Sequence, residues 1–116
     1  MRREQITSDA RGWFAGPWDS DLPVSIGFAS EGVDEPHVHS QITEIYLVAR
    51  GSSSIRVDHA TVELSEGDAL IVEPGEAHTF LSSSDDYLHF VIQTPGLAGD
   101  EARLEKQLVS RSQLGL

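Results

Sequence analysis

The sequence predicts an all-β sandwich or barrel, because short strand-like segments recur with turn signals at intervals of roughly ten residues. The positions of four residues whose side chains could bind a metal ion agree with this fold class. His37 and His39 lie two residues apart, and side chains at that spacing in an extended strand point to the same face. Glu44 can rejoin them only after a turn, and His78 must come from another strand. A closed or folded-over sheet is therefore expected.

The apolar pattern places the predicted strands in order along the chain. Val24, Ile26 and Phe28 alternate with other residues within Leu22–Phe28, which indicates one buried face. Further strands are predicted at residues 44–49, 55–57, 61–64, 69–72 and 87–93. Residues 58–60 separate two of them and are predicted to form a hairpin turn.

One helix is predicted, over residues 100–108. Leu104 and Leu108 are four residues apart, which places them on the same side of a helix, and acidic residues stand at its start. The tail, residues 110–116, carries no clear pattern.

Length and composition limit the classes of protein. A chain of 116 residues suits one domain spanning 1–116. Its net charge of -11 repels phosphate backbones and anionic lipids, so nucleic acid and membranes are not expected partners. No cysteine is present to form a disulfide or a thiolate ligand. Because no apolar run suggests a signal peptide or a transmembrane helix, we expect a cytoplasmic protein.

The chain contains a complete ligand set for one divalent transition metal, which consists of His37, His39, Glu44 and His78. Imidazole nitrogens suit Zn, Cu, Fe and Ni, and a carboxylate extends the range to Mn. The residue types do not choose among these metals.

Two stretches of the chain carry a resemblance to a known family. The stretch Gly32 … His37-Val38-His39 … Glu44 … Gly51 resembles the first conserved motif of the cupin superfamily, about residues 32–51. The stretch Gly67-Asp68 … Pro74-Gly75-Glu76-Ala77-His78 resembles the second, about residues 67–82. The resemblance implies a jelly-roll barrel, the double-stranded β-helix, with a metal inside its mouth.

Strand alternation also selects candidates around the metal. Tyr46 is predicted to share a face with Glu44, and Phe80 with His78, so both should line the pocket. We expect Tyr46 and His89 to be the candidates for moving protons. His89 would instead be solvated if its strand face points outward. His59, at the predicted hairpin tip, is expected to have no role in the site.

The expected function is that of a mononuclear metal-dependent cupin enzyme acting on a small organic substrate. The chain has no nucleophile elbow, phosphate-cradling glycine loop or Cys–His pair, so catalysis would depend on the metal. The resemblance allows a dioxygenase, isomerase, cyclase or lyase, of which dioxygenase chemistry suits open metal positions best. The alternative is a non-catalytic metal-containing module that binds or senses a small ligand.

A homodimer is also expected, because small jelly rolls leave sheet edges and apolar faces that a second copy can cover. The family resemblance points to the same assembly. Trp13, Phe14 and Trp18 cluster before the first predicted strand and are the candidates for capping the barrel or contacting the partner.

Overall fold

Two antiparallel five-stranded sheets face each other in the computed structural model, which describes residues 1–116. The strands are β1 (Arg11–Ala15), β2 (Ser25–Ala29), β3 (His37–His39), β4 (Thr43–Arg50), β5 (Ser52–Val57), β6 (Ala60–Ser65), β7 (Ala69–Val72), β8 (His78–Ser83), β9 (Leu88–Thr94) and β10 (Lys106–Leu108). Helix α1 (Gly99–Glu105) precedes β10, and a 3₁₀ helix spans Arg111–Leu114.

The strand order is β1-β2-β9-β4-β7 in the first sheet and β10-β3-β8-β5-β6 in the second. Strands that are distant in the sequence therefore lie side by side, as β4 does with β9 and β3 with β8. This arrangement is a jelly roll with one short helix near its C-terminal end, and it confirms the predicted fold class.

The core lies between the sheets and is built from alternate residues of each strand. In β4, Tyr46 and Val48 are buried at 5% and 4% exposure, whereas Leu47 between them is 38% exposed. The cluster of buried apolar side chains comprises Tyr46, Val48, Ile55, Leu64, Val72, Phe80, Tyr87 and Val91. Glu44 continues the inward face of β4 beyond this cluster, so the interior changes from apolar to polar at one end of the barrel.

Most predicted strands are found, with small shifts at their ends. Residues 69–72 form β7 and the turn between β5 and β6 lies at Asp58-His59, as predicted. The strand predicted from Leu22 begins only at Ser25. Ile26, predicted on its buried face, lies on the outer side of the sheet, because its neighbours Gly27 and Ala29 are the residues that pair with the inward-facing Val91 and His89. The aromatic segment taken to precede the first strand is itself partly a strand, since Trp13 and Phe14 belong to β1, which pairs with β2.

The predicted helix over residues 100–108 is too long. It ends at Glu105, and the chain continues as β10, where Lys106 pairs with His39 and Leu108 with His37. Leu104 and Leu108 are both exposed, so their spacing does not mark a buried helix face. Pairing with β3 satisfies the backbone there and overrides the local preference.

The one α-helix, at seven residues, is too short to cross a membrane.

Candidate metal centre

Three strands bring the four predicted ligands to the polar end of the barrel. His37 in β3 is paired directly with His78 in β8, and their rings lie 4.3 Å apart between centroids. His39, two residues on in the same strand, points to the same side. Glu44 comes from β4 in the opposite sheet. The set therefore spans the gap between the two sheets.

The carboxylate of Glu44 lies at the centre of the cluster. Its Oε1 is 3.0 Å from Nε2 of His39, 3.0 Å from Nε2 of His78 and 3.7 Å from Nε2 of His37. Neighbouring ligands about 2.1 Å from one ion, at right angles to each other, are separated by about 3.0 Å. Ligand atoms of His37, Glu44 and His78 all lie within 4.8 Å of one another, so these three residues could hold one divalent ion. His39 does not belong to that close group and reaches it through its contact with Oε1 of Glu44.

Each histidine uses its other ring nitrogen to fix its orientation. Nδ1 of His37 donates to the carbonyl of Glu35 at 2.7 Å, and Nδ1 of His78 donates to the carbonyl of Glu76 at 3.0 Å. Nδ1 of His39 lies 2.5 Å from Oε1 of Glu105. With Nδ1 occupied in this way, Nε2 of each ring is left facing the cluster, which is the arrangement that metal-binding histidines use.

The ionisable groups of the cluster shift one another's pKa values toward the charged forms. Burial opposes ionisation of Glu44, but the hydrogen-bonding contacts of its carboxylate with His37, His39 and His78 outweigh it and hold the pKa of this carboxyl well below its usual range. Burial also opposes protonation of His39, yet Glu44 and Glu105 on either side raise the pKa of this imidazole above its ordinary value. Glu44 therefore stays ionised, and its carboxylate attracts cations.

Glu105 is a buried residue beside the candidate site that the sequence patterns miss. It is 4% exposed, and besides His39 its carboxylate accepts hydrogen bonds from the backbone N–H groups of Gln41 and Ile42, at 2.8 and 2.9 Å. In the sequence it is one more acidic residue in a helical segment, where such residues usually face solvent. Gln93 also contacts the cluster, and its Nε2 donates to Oε2 of Glu44 at 3.2 Å.

Tyr46 and His89 both lie inside the barrel beside the cluster. The Tyr46 hydroxyl is 3.5 Å from Nε2 of His78, and burial followed by the charge of Glu44 raises its pKa well above the ordinary value. His89 is 3% exposed, so its strand face points inward and not to solvent. Its ring stacks on Phe80 with centroids 5.3 Å apart, and Nδ1 lies 2.7 Å from the hydroxyl of Tyr87. Burial lowers the pKa of His89 to about 4.

A cavity of about 620 Å³ opens from the cluster, a volume in the usual range for small-molecule sites. Its polar and charged lining residues are Arg11, Glu35, His37, His39, Glu44, Tyr46, His89, Gln93, Glu105 and Lys106. Phe28, Phe80 and Val91 contribute apolar walls. His78 is 1% exposed and lies behind this surface. His59 is exposed on the β5–β6 turn and does not line the cavity.

Solved structures with the same fold come from several bacteria. The nucleoside dehydratase Pac13 of Streptomyces is 13% identical, with a TM-score of 0.68, and the match covers 97% of this chain and 98% of that one. KdgF from Halomonas sp. is 20% identical at a TM-score of 0.62, covering 79% and 81%. A cupin protein from Bacteroides fragilis is 25% identical at a TM-score of 0.61, covering 84% and 88%.

Sequence comparison gives the family. No curated protein sequence matches the chain. The model of the cupin domain matches residues 26–93, which is more than half of the chain and includes all four ligand candidates. The chain belongs to the cupin family.

Proposed function

We propose that this cupin is a mononuclear metal-dependent enzyme that acts on a small organic substrate, with dioxygenase-type chemistry as the first candidate. The observation that carries the proposal is the convergence of three imidazole Nε2 atoms on one carboxylate oxygen at the edge of a cavity. His37, His39, Glu44 and His78 would hold the ion. When bound, a divalent ion supplies Lewis acidity and positions at which a chelating substrate and a small co-reactant are brought together.

The residues around the cluster suit the handling of a substrate with enol or carbonyl oxygens. Because its pKa is raised, Tyr46 stays protonated and donates a hydrogen bond at neutral pH. His89 stays neutral, so its ring offers one donor and one acceptor without adding charge. The apolar walls from Phe28, Phe80 and Val91 exclude water from the reacting atoms.

Charge at the cavity mouth favours a substrate with an anionic group, such as a carboxylate. Lys106 is one of two cations in the lining and is paired with Glu35 at 2.9 Å, whereas the guanidinium of Arg11 makes no ion pair. Arg11 is aligned with Ala29 and then His89 across three neighbouring strands. Its backbone therefore lies about 10 Å from that of His89, and both side chains belong to the inner face of the sheet.

A lyase reaction that eliminates water is the second candidate. It needs a proton donor close to a proton acceptor, and the rings of Tyr46 and His89 are 5.0 Å apart between centroids beside the cluster. The structurally similar Pac13 is a nucleoside dehydratase. Isomerase and cyclase chemistry would use the same groups. A non-catalytic module that binds or senses a ligand is the alternative outside enzymes.

Metal content after purification tests the proposal. We expect Glu44→Gln to lower metal affinity by at least about 100-fold, since losing a partner outside the ligand set alone costs about 10–100-fold. The change keeps the volume but removes the only charge among the four ligands. His78→Ala should lose metal to a similar or greater extent. His59→Ala is the matched control and should keep its metal. Circular dichroism confirms that each variant is folded.

Full metal content in Glu44→Gln and His78→Ala would refute the metal site. For the reaction class, the metal-loaded protein is incubated with carboxylate-bearing β-diketones and 2-hydroxy acids while dissolved oxygen and products are followed. Oxygen uptake supports the dioxygenase, and product formation without oxygen uptake supports the lyase. Tight binding of an unchanged compound would support the non-catalytic alternative.

A further inference from the structure

His39 differs from the other two histidines in what holds its ring. His37 and His78 are each anchored by a backbone carbonyl two residues earlier in the same segment. The anchor of His39 is the side chain of Glu105, which is 66 residues away in the sequence. Local backbone geometry therefore orients two of the histidines, whereas the third depends on a distant segment that must be docked.

That segment is held against the strand that carries His37 and His39. Strand β10 forms the edge of the second sheet and pairs only with β3. Beyond it, the N–H of Val109 donates to the carbonyl of Pro36 at 3.1 Å. Glu105 stands where α1 ends and β10 begins, so its side chain enters the barrel when β10 pairs.

The carboxylate of Glu105 is fully used in this position. One oxygen contacts His39, and the other accepts the N–H groups of Gln41 and Ile42 in the turn between β3 and β4. It therefore fixes both the ring of His39 and the turn that leads to Glu44. Glu105 lies outside residues 26–93, the part of the chain that the cupin model matches.

The geometry points to Glu105 as a positioning residue that couples docking of the segment 99–108 to metal affinity. The metal part of this inference rests on the proposed function. With its Nδ1–H bonded to Glu105, His39 keeps Nε2 directed at Glu44 and gains basicity as a ligand. Coupling of two equilibria is reciprocal, so a bound metal must also strengthen the docking of β10.

The affinity for Zn²⁺ alone, measured by competition with a chromophoric chelator at pH 7.5, tests the coupling. We expect Glu105→Gln and Glu105→Ala to bind Zn²⁺ about 10–100-fold more weakly than the unsubstituted protein. Glu101→Gln removes the same charge from an exposed position of the same helix and should leave the affinity unchanged. Unchanged affinity in both Glu105 variants would overturn the inference.

Amide hydrogen exchange at residues 106–109 gives a second reading that does not depend on activity. Zn²⁺ should slow this exchange in the unsubstituted protein and in Glu101→Gln, and should slow it much less in Glu105→Gln. Without metal, exchange should already be faster in Glu105→Gln than in Glu101→Gln. Equal rates in these two metal-free variants would refute the anchoring role. If the unsubstituted protein binds no Zn²⁺ while the metal-free difference is present, the proposed metal function fails and the anchoring role stands.

Discussion

Protonation of His39 links solution pH to metal binding in this protein. A metal ion needs the neutral imidazole, and Glu44 and Glu105 raise the pKa of His39 above 6.5 in the metal-free state. Protons should therefore compete with the metal already above pH 6.5. We expect the apparent affinity for Zn²⁺ to fall between pH 8 and pH 5, by about tenfold per pH unit for each proton displaced. Titrations at several pH values check this, and a flat profile from pH 8 to pH 4 would contradict histidine ligands.

The shifted pKa values of His39, Glu44 and His89 also make the stability of the metal-free protein depend on pH. The raised pKa of His39 means that its contribution is fully present below pH 6.5 and is lost as pH rises through the folded-state value. The lowered pKa of Glu44 means that its contribution is present above pH 4.5 and is lost as pH falls. His89, whose pKa burial lowers to about 4, loses its contribution as pH falls from 6.5 toward 4. We therefore expect the melting temperature of chelator-treated protein to be highest near pH 6.5. A melting temperature that rises steadily from pH 5 to 8 would contradict this assignment.

Arg11 provides a test of the proposed substrate charge. Arg11→Gln should weaken binding of a carboxylate-bearing β-diketone to the Zn²⁺-loaded protein by about 10–150-fold, as expected when one charge-assisted hydrogen bond is lost. It should leave binding of the corresponding methyl ester unchanged. Arg3→Gln is the matched control, because Arg3 also makes no ion pair but does not line the cavity. Equal losses for acid and ester would argue against recognition of the anion.

At the scale of elements, the β5–β6 turn supports the strand that carries His78. Asp58 has a φ of 49°, in the left-handed region, and its Oδ1 accepts the N–H of Ala77 at 3.2 Å. Its own N–H donates to the carbonyl of Ala77 at 2.7 Å. The turn therefore fixes the residue directly before His78, at the start of β8.

Asp58→Ala should lower the free energy of unfolding by about 1–2 kcal/mol, because it loses the hydrogen bond and the tolerance for left-handed angles. Asp58→Asn keeps an acceptor and that tolerance, so its loss should be less than about 0.5 kcal/mol. Urea denaturation measures both. Asp85→Ala, in another exposed turn, is the control. The structural role of Asp58 would be disproved if its alanine variant were as stable as this control.

At the scale of the whole molecule, the expected homodimer has two exposed apolar surfaces available. Trp13 and Trp18 are 51% and 46% exposed and pack edge to face, with ring centroids 5.9 Å apart. Phe14 instead packs against Phe28 and Phe90. The outer side of the first sheet carries a cross-strand row of isoleucines, Ile26, Ile92, Ile45 and Ile71.

We expect light scattering at micromolar concentration to show a dimer. Two copies with a net charge of -11 each repel one another, so 0.5 M salt should strengthen the association. Ile71→Glu adds a charge to the isoleucine row, where Ile71 is 57% exposed, and Trp18→Ala removes the other surface. The variant that yields monomers identifies the contact. A monomer at both low and high salt would contradict the expected dimer.

The features of this protein that the sequence predicts are those that depend on residues close together in the chain. Alternation of side chains is a local property of strands, so the strands around residues 25–28 and 69–72 are recognisable without a structure. Alternation alone nevertheless put Ile26 on the wrong face of its strand. The ligand spacing is local as well, because His37 and His39 share one strand face. The glycines of the two motifs are also recognisable from their spacing in the sequence. The structure explains why position 32 must be glycine. A Cβ there would lie 2.4 Å from Cγ of Phe80.

The sequence by itself determined the all-β class and the four ligand candidates, because alternation and ligand spacing are visible over short stretches of chain. The resemblance of its two motifs to those of cupins added the family and the jelly roll. Only the tertiary structure decided that Glu105 holds His39, that residues 106–108 form a strand, and that His89 faces inward. These features depend on pairing between segments far apart in the chain. Such pairing supplies hydrogen bonds and burial that outweigh local preferences, such as the helical spacing of Leu104 and Leu108. A pattern in neighbouring residues cannot show which distant segment a strand will pair with.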